Sequence, residues 1–220
     1  MGDLDPGRGR LAARLVAEGP AKIAVWLGLA AGICIPYFTL QQLDLGPPHS
    51  VPITPVDRWV ALEPRFLWAY LSLGALVPLA PLLASDRRAL HRYALGLALL
   101  CLPCFVVFAL YPVAGPRPPT TPDHPLFRWL VSVDRPTNSM PSLHAGLTVY
   151  SLLFAWRVVR DDLRGGLRAA AAGGGALWGA LILYATLATK QHWFLDLPAG
   201  ALLAVGAYLL SWRGTPPSSH

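Results

Sequence analysis

Charge is scarce in this chain. Asp, Glu, Lys and Arg make up 14% of its 220 residues against 54% hydrophobic residues, and the mean hydropathy is +0.45, a balance that excludes an ordinary soluble domain. Cysteine is scarce too: Cys34, Cys101 and Cys104 all fall inside apolar runs. Cys101 and Cys104 have the CxxC spacing that marks metal or redox pairs in soluble proteins, but inside a membrane helix they read as small packing residues. Period-two alternation over segments of about 10 residues is missing, which excludes a membrane barrel. No repeat of fixed period is visible, and no stretch suggests a second domain. Residues 1–220 are therefore expected to form one domain, with a basic segment at 1–22 and a short tail at 213–220.

What is present is a series of long apolar runs. A hydrocarbon core of roughly 30 Å needs about 20 apolar residues at about 1.5 Å each, and six stretches approach that: 23–40, 66–84, 93–111, 143–159, 169–188 and 193–212. The expected fold is all-α, a polytopic bundle of six transmembrane helices. A signal peptide is the rival reading of the first run, but no small-residue cleavage site follows it, which favours a retained span. Residues 8–18 have the pattern of a short amphipathic surface helix. Between runs three and four, Leu126, Trp129, Leu130 and Val133 follow the i, i+3, i+4, i+7 pattern after Pro125, predicting a short interfacial helix. Prolines within the runs, Pro78, Pro81 and Pro103, are assigned to kinks and packing. Gly175 and Gly179 form a GxxxG suited to close helix contact within the chain or in a dimer.

Six spans put both termini and the loops near 85–92 and 160–168 on one side. That side holds twelve of the eighteen Lys and Arg residues, so the positive-inside rule makes it cytoplasmic. The net charge of +6 is then a topology signal that looks to anionic headgroups, with no nucleic-acid partner. Parity also carries NSMPSLHA (138–145) and KQHWFLDLPAG (190–200) to one non-cytoplasmic face.

These two stretches hold the candidate chemistry. Ionisable groups at the edge of a span are costly and mark function. His192 and Asp196 are i and i+4, so on a helix the carboxylate would fix the imidazole tautomer and free the other nitrogen as a nucleophile; a purely structural pair is the bland alternative. Pro141 suits a first helical turn, which would aim backbone N–H groups near Ser142 and Leu143 at an anion. His144 beside it would protonate a leaving oxygen. Arg117, Arg135 and Lys190 lie on the same side and would neutralise a phosphoryl group.

PSLH followed by HWFLD resembles the type 2 phosphatidic acid phosphatase superfamily, whose second signature is PSGH and whose third ends in HxxxD. The resemblance implies that His192 becomes phosphorylated, His144 acts as general acid and Asp196 supports the nucleophile. Leu143 stands where the family has glycine, a variant resembling the fungal inositolphosphotransferase branch. Ala185 and Thr186 replace the Ser-Arg of the third signature, with Lys190 as a substitute charge. For the Arg-Pro of the first signature, Arg117-Pro118 is the preferred match and Arg135-Pro136 the second.

The leading expectation is an integral membrane enzyme that hydrolyses a lipid phosphate or diphosphate without metal or other cofactor. A phosphotransferase passing a phosphoryl-headgroup unit to an alcohol is the alternative within the same chemistry. A haem protein with His144 and His192 as axial ligands, or a non-catalytic membrane protein, is the alternative of another class.

Overall fold

The computed structural model describes residues 6–118 and 121–213; residues 1–5 and the expected tail beyond Arg213 lie outside the described part. The helices are α1 (Pro6–Val16), α2 (Gly19–Gln42), α3 (Pro55–Trp59), α4 (Leu67–Leu71), α5 (Leu73–Leu82), α6 (Arg87–Leu110), α7 (Pro125–Val133), α8 (Leu143–Val159), α9 (Gly165–Ala188) and α10 (Asp196–Ser211). A 3₁₀ turn, Pro64–Phe66, leads into α4. Among the described residues there is no strand, only isolated bridges joining Val113 to His49 and to Asn138.

Each apolar run of the sequence is helical, the second as the consecutive short helices α4 and α5. Four helical segments are long and apolar enough to cross a membrane: Gly19–Gln42, Pro64–Leu82, Arg87–Leu110 and Gly165–Ala188. Helices α8 and α10 are shorter, with 17 and 16 residues, or about 25 Å at the usual rise. The sixth run is expected from residue 193, but helix begins only at Asp196 because residues 189–195 form turns.

The core lies between α5, α6, α8 and α10, around Tyr93, Leu97, Leu100, Phe108, Tyr150 and Phe154. Its polar atoms repair what the sequence breaks. Pro81 has no N–H for the carbonyl four residues back, that of Val77, and the Tyr93 hydroxyl donates to that oxygen at 2.7 Å instead. Close helix contacts sit on glycines. A Cβ on Gly179 would lie 2.5 Å from Leu152, so the GxxxG of α9 packs against α8 of the same chain. A Cβ on Gly200 would lie 2.0 Å from the Ser142 carbonyl oxygen, which presses α10 against the start of α8.

Basic residues gather at one end of the bundle. Arg14 of α1 meets Asp162 at 2.6 Å, the Lys22 ammonium donates to the Leu82 carbonyl at 2.8 Å, and Arg92 donates to the Ser211 carbonyl. At the other end, the loop from Tyr111 is laced between two others: Ala114 N–H donates to His49, Gly115 N–H to Pro136, and Ser139 N–H to Val113.

Helix α7 forms where periodicity predicts it, and the predicted stripe is divided between protein and surroundings. Phe127 and Leu130 are buried against Leu67, Tyr70 and Ala185, while Leu126 and Trp129 stay exposed. Two stripes overlap in this short segment, and the one containing Phe127 fits the gap beside Tyr70.

Candidate active site

The turn that carries His192 is built by the end of α9. Gln191 N–H donates to the Thr186 carbonyl at 3.0 Å and Lys190 N–H to Leu187 at 3.1 Å, the paired bonds of a Schellman cap. Lys190 takes the left-handed conformation, φ 53°, that glycine usually fills at this position. The His192 N–H also returns to Thr186. His192 therefore sits in a turn before α10, and the expected i, i+4 placement on one helix face does not occur.

Asp196, the first residue of α10, is fully buried. Its Oδ2 accepts the Ser139 hydroxyl and the Trp193 N–H at 2.8 Å. The His192 Nδ1 lies 3.5 Å from the same oxygen but only 3.0 Å from the Ser139 carbonyl oxygen. A carbonyl can only accept, so Nδ1 carries the hydrogen and Nε2 keeps the free lone pair. Ser139 thus holds the carboxylate with its side chain and the imidazole with its backbone. Asp196 Oδ1 is buried and has no hydrogen-bond partner among the described residues.

The His144 ring lies 5.6 Å from that of His192, centroid to centroid. Its other neighbour is Tyr70, stacked at 4.2 Å with 20° between planes. Tyr70 is anchored in turn, its hydroxyl donating to Asp134 Oδ2 at 3.3 Å.

Helix α8 begins at Leu143 with Ser142 as N-cap, so Pro141 precedes the cap and does not occupy the first turn. The Ser142 hydroxyl accepts from Ala145 N–H at 3.2 Å, as N-caps do, and its own N–H is taken by the Asp196 carbonyl at 2.9 Å. The Leu143 side chain turns into the hydrophobic core. The donors left at this helix start are the Leu143 and His144 N–H groups, since Ser142 caps that of Ala145 and the first turn has no intrahelical acceptor.

The three candidate cations have separate surroundings. Arg117 is the one joined to the histidine turn: it donates to Gln191 Oε1 and to the Asp134 carbonyl, both at 2.7 Å. The Lys190 ammonium turns to the carbonyls of Asp57 and Val60 at the end of α3. Burial lowers its pKa, against the opposing pull of Asp57. Arg135 is exposed and donates to the Gln41 carbonyl at 3.3 Å.

Three residues here escaped the reading of the sequence. Ser139 lies within NSMPSLHA, where attention to the histidine passed over it. Tyr70 gave no signal inside an apolar run. Asp57 accepts from Thr54 in a capping box and from Phe194 N–H at 2.7 Å, which ties α3 to the histidine turn. Burial opposes the Asp57 charge, but these bonds and Lys190 outweigh it and hold the carboxyl below its ordinary value.

One end of this helical, membrane-like bundle joins two histidines and a buried carboxylate. The family model of the PAP2 superfamily matches residues 51–210, and the chain belongs to that superfamily. No curated protein and no solved structure gives a match. Membership brings phosphatase-type activity with it; α1 and α2 lie before the matched region.

Proposed function

We propose that this protein is an integral membrane lipid phosphatase that hydrolyses a lipid phosphate or diphosphate monoester through a phosphohistidine. His192 Nε2 attacks phosphorus, the bond from phosphorus to the leaving oxygen breaks, and His144 gives that oxygen its proton. Water then attacks the phosphohistidine, His144 takes the proton from the water, and inorganic phosphate leaves with His192 restored. Each proposed step is written with side chains and water alone. Arg117 and the Leu143 and His144 N–H groups of α8 are assigned to the phosphoryl oxygens, with Lys190 and Arg135 as outer charges on the same end.

The observation that carries this reading is the Ser139 carbonyl at His192 Nδ1, which in the neutral ring makes Nε2 the lone-pair nitrogen, on a ring 5.6 Å from His144. Superfamily membership favours phosphoester chemistry over the haem and non-catalytic alternatives. For topology we assign six crossings, cytoplasmic termini, a site on the non-cytoplasmic face and α7 at the interface. The cation surplus at the end carrying α1 supports this.

Purified protein should release inorganic phosphate from phosphatidic acid or a lipid diphosphate. His192→Ala should release none while unfolding at the same temperature, and retained hydrolysis would sink the mechanism. Supplying alcohols and looking for transfer products against free phosphate separates hydrolysis from transfer.

A further inference from the structure

We propose that an apolar cavity between α2, α5 and α8 lodges a hydrocarbon chain of the substrate, admitted sideways from the bilayer past α2. The cavity measures about 400 Å³ and has Tyr70 and His144 in its wall. One of its surfaces is therefore the stacked pair at the candidate site. The rest of the wall is almost wholly apolar: Leu29, Ile33 and Phe38 from α2, Leu73 and Val77 from α5, and Leu147 from α8.

Its shape suits a chain and not a headgroup. Both Trp26 and Phe38 line it, positions about 18 Å apart at the helical rise, more than half the roughly 30 Å of a hydrocarbon core. A buried polar group there would lack partners and cost free energy, whereas methylenes meet carbon on every side. The long axis follows α2, from the level of His144 toward the opposite end of the bundle. A phosphate at the two histidines would thus have its chain running down into the apolar layer.

Helix α2 is suited to be the movable wall. Its buried residues are Lys22 and Gln41, one near each end. Lys22 donates to the Arg14 and Leu82 carbonyls, and Gln41 donates to Asp134 and to the Arg135 carbonyl. Between these two pins the helix touches the core through partly buried side chains such as Val25, Leu29 and Ile33. Pinned ends and an apolar middle let a chain slip between α2 and α5 without breaking a hydrogen bond of either pin. The family match begins at residue 51, so this wall is supplied by chain outside it.

The inference rests on the phosphatase reading only for what the headgroup is, and Gly74 offers a test. Gly74 lines the cavity, and a Cβ there would meet nothing within 4 Å, so a side chain can start there unobstructed and Gly74→Phe adds bulk at the cavity wall. Gly28 of α2 is equally unobstructed and outside the lining, and Gly28→Phe is the control. Hexadecyl phosphate with a diazirine in its tail should photolabel the segments 26–38 and 71–78 of the wild type. Gly74→Phe should remove that labelling and Gly28→Phe should keep it. In turnover, Gly74→Phe should lower the kcat/KM ratio of hexadecyl phosphate to p-nitrophenyl phosphate roughly tenfold, the penalty of overfilling an occupied space. Labelling spread evenly over the lipid-facing helices, or unchanged in Gly74→Phe, overturns the cavity. Correct labelling with hydrolysis of neither ester upholds the cavity and overturns the phosphatase reading.

Discussion

Helices α2 and α8 both read in the sequence as apolar runs fit for a membrane, yet they use their side chains in opposite ways. Of the 24 residues of α2 the buried ones are a lysine and a glutamine. Helix α8, with 17 residues, buries nine, including Gly146, Thr148 and Ser151. Apolar residues on α2 mainly face what would be lipid, and its polar residues hold it to the bundle. On α8 the apolar residues fill the core, and its start carries the histidine. Hydropathy reports that a segment is compatible with lipid; burial reports whether lipid or protein receives it. Helix α2 is long and apolar enough to cross a membrane, while the two short helices, α8 and α10, begin at the turns that build the site.

Substitutions can break or sharpen that contrast. The largest effect is expected at His192: alanine should lower turnover by about 10⁴-fold or more, as removal of a nucleophile does, measured as phosphate release with unfolding temperature as control. His144→Asn should cost roughly 10²–10⁴-fold on alkyl phosphates, the usual worth of a general acid, and much less on p-nitrophenyl phosphate, whose leaving group needs little proton help. An equal loss on both esters would remove His144 from that role.

One kind of substitution, placed in α2 and at the point where α10 meets the start of α8, makes the contrast quantitative. Gly200→Ala drives a methyl to 2.0 Å from the Ser142 oxygen and should destabilise by about 3 kcal/mol or abolish the site. Gly28→Ala in α2 meets nothing within 4 Å and should stabilise by about 0.5–1 kcal/mol; thermal unfolding in detergent reads both. Gln41→Leu, which strips the outer pin of α2 from Asp134, should cost roughly 1–3 kcal/mol.

The smallest effect concerns pH. The Asp57 carboxyl is held below its ordinary value, so its contribution is whole above the unfolded value of about 3.9 and is lost as pH falls through the depressed folded value. Asp57→Asn should be less stable than wild type at neutral pH, and the two should converge in acid. A stability gap constant down to the acid limit would contradict the capping account.

The bundle was legible because runs of apolar residues are long-range signals that turns rarely disguise. The histidine turn was not. Its break depends on a Schellman cap whose left-handed residue is Lys190 in place of glycine, so residues 193–195 read as the beginning of a helix. The same limit applies to charge. Sequence shows that Lys190 and Arg135 lie on the site's side, but not that α3 and Gln41 occupy their hydrogen bonds. The burial of Phe127 on α7 was not legible for a third reason, since its neighbour Tyr70 is 57 residues away in the chain and close only in space.

At Gly200 the main chain of α10 rests on the main chain of α8, with no side chain between them. Rotamer changes therefore have no part in setting the distance from the start of one helix to the start of the other. Backbone contact sets how closely the two can approach, so the helix that carries His144 and the helix that begins at Asp196 meet at a spacing that no side chain adjusts.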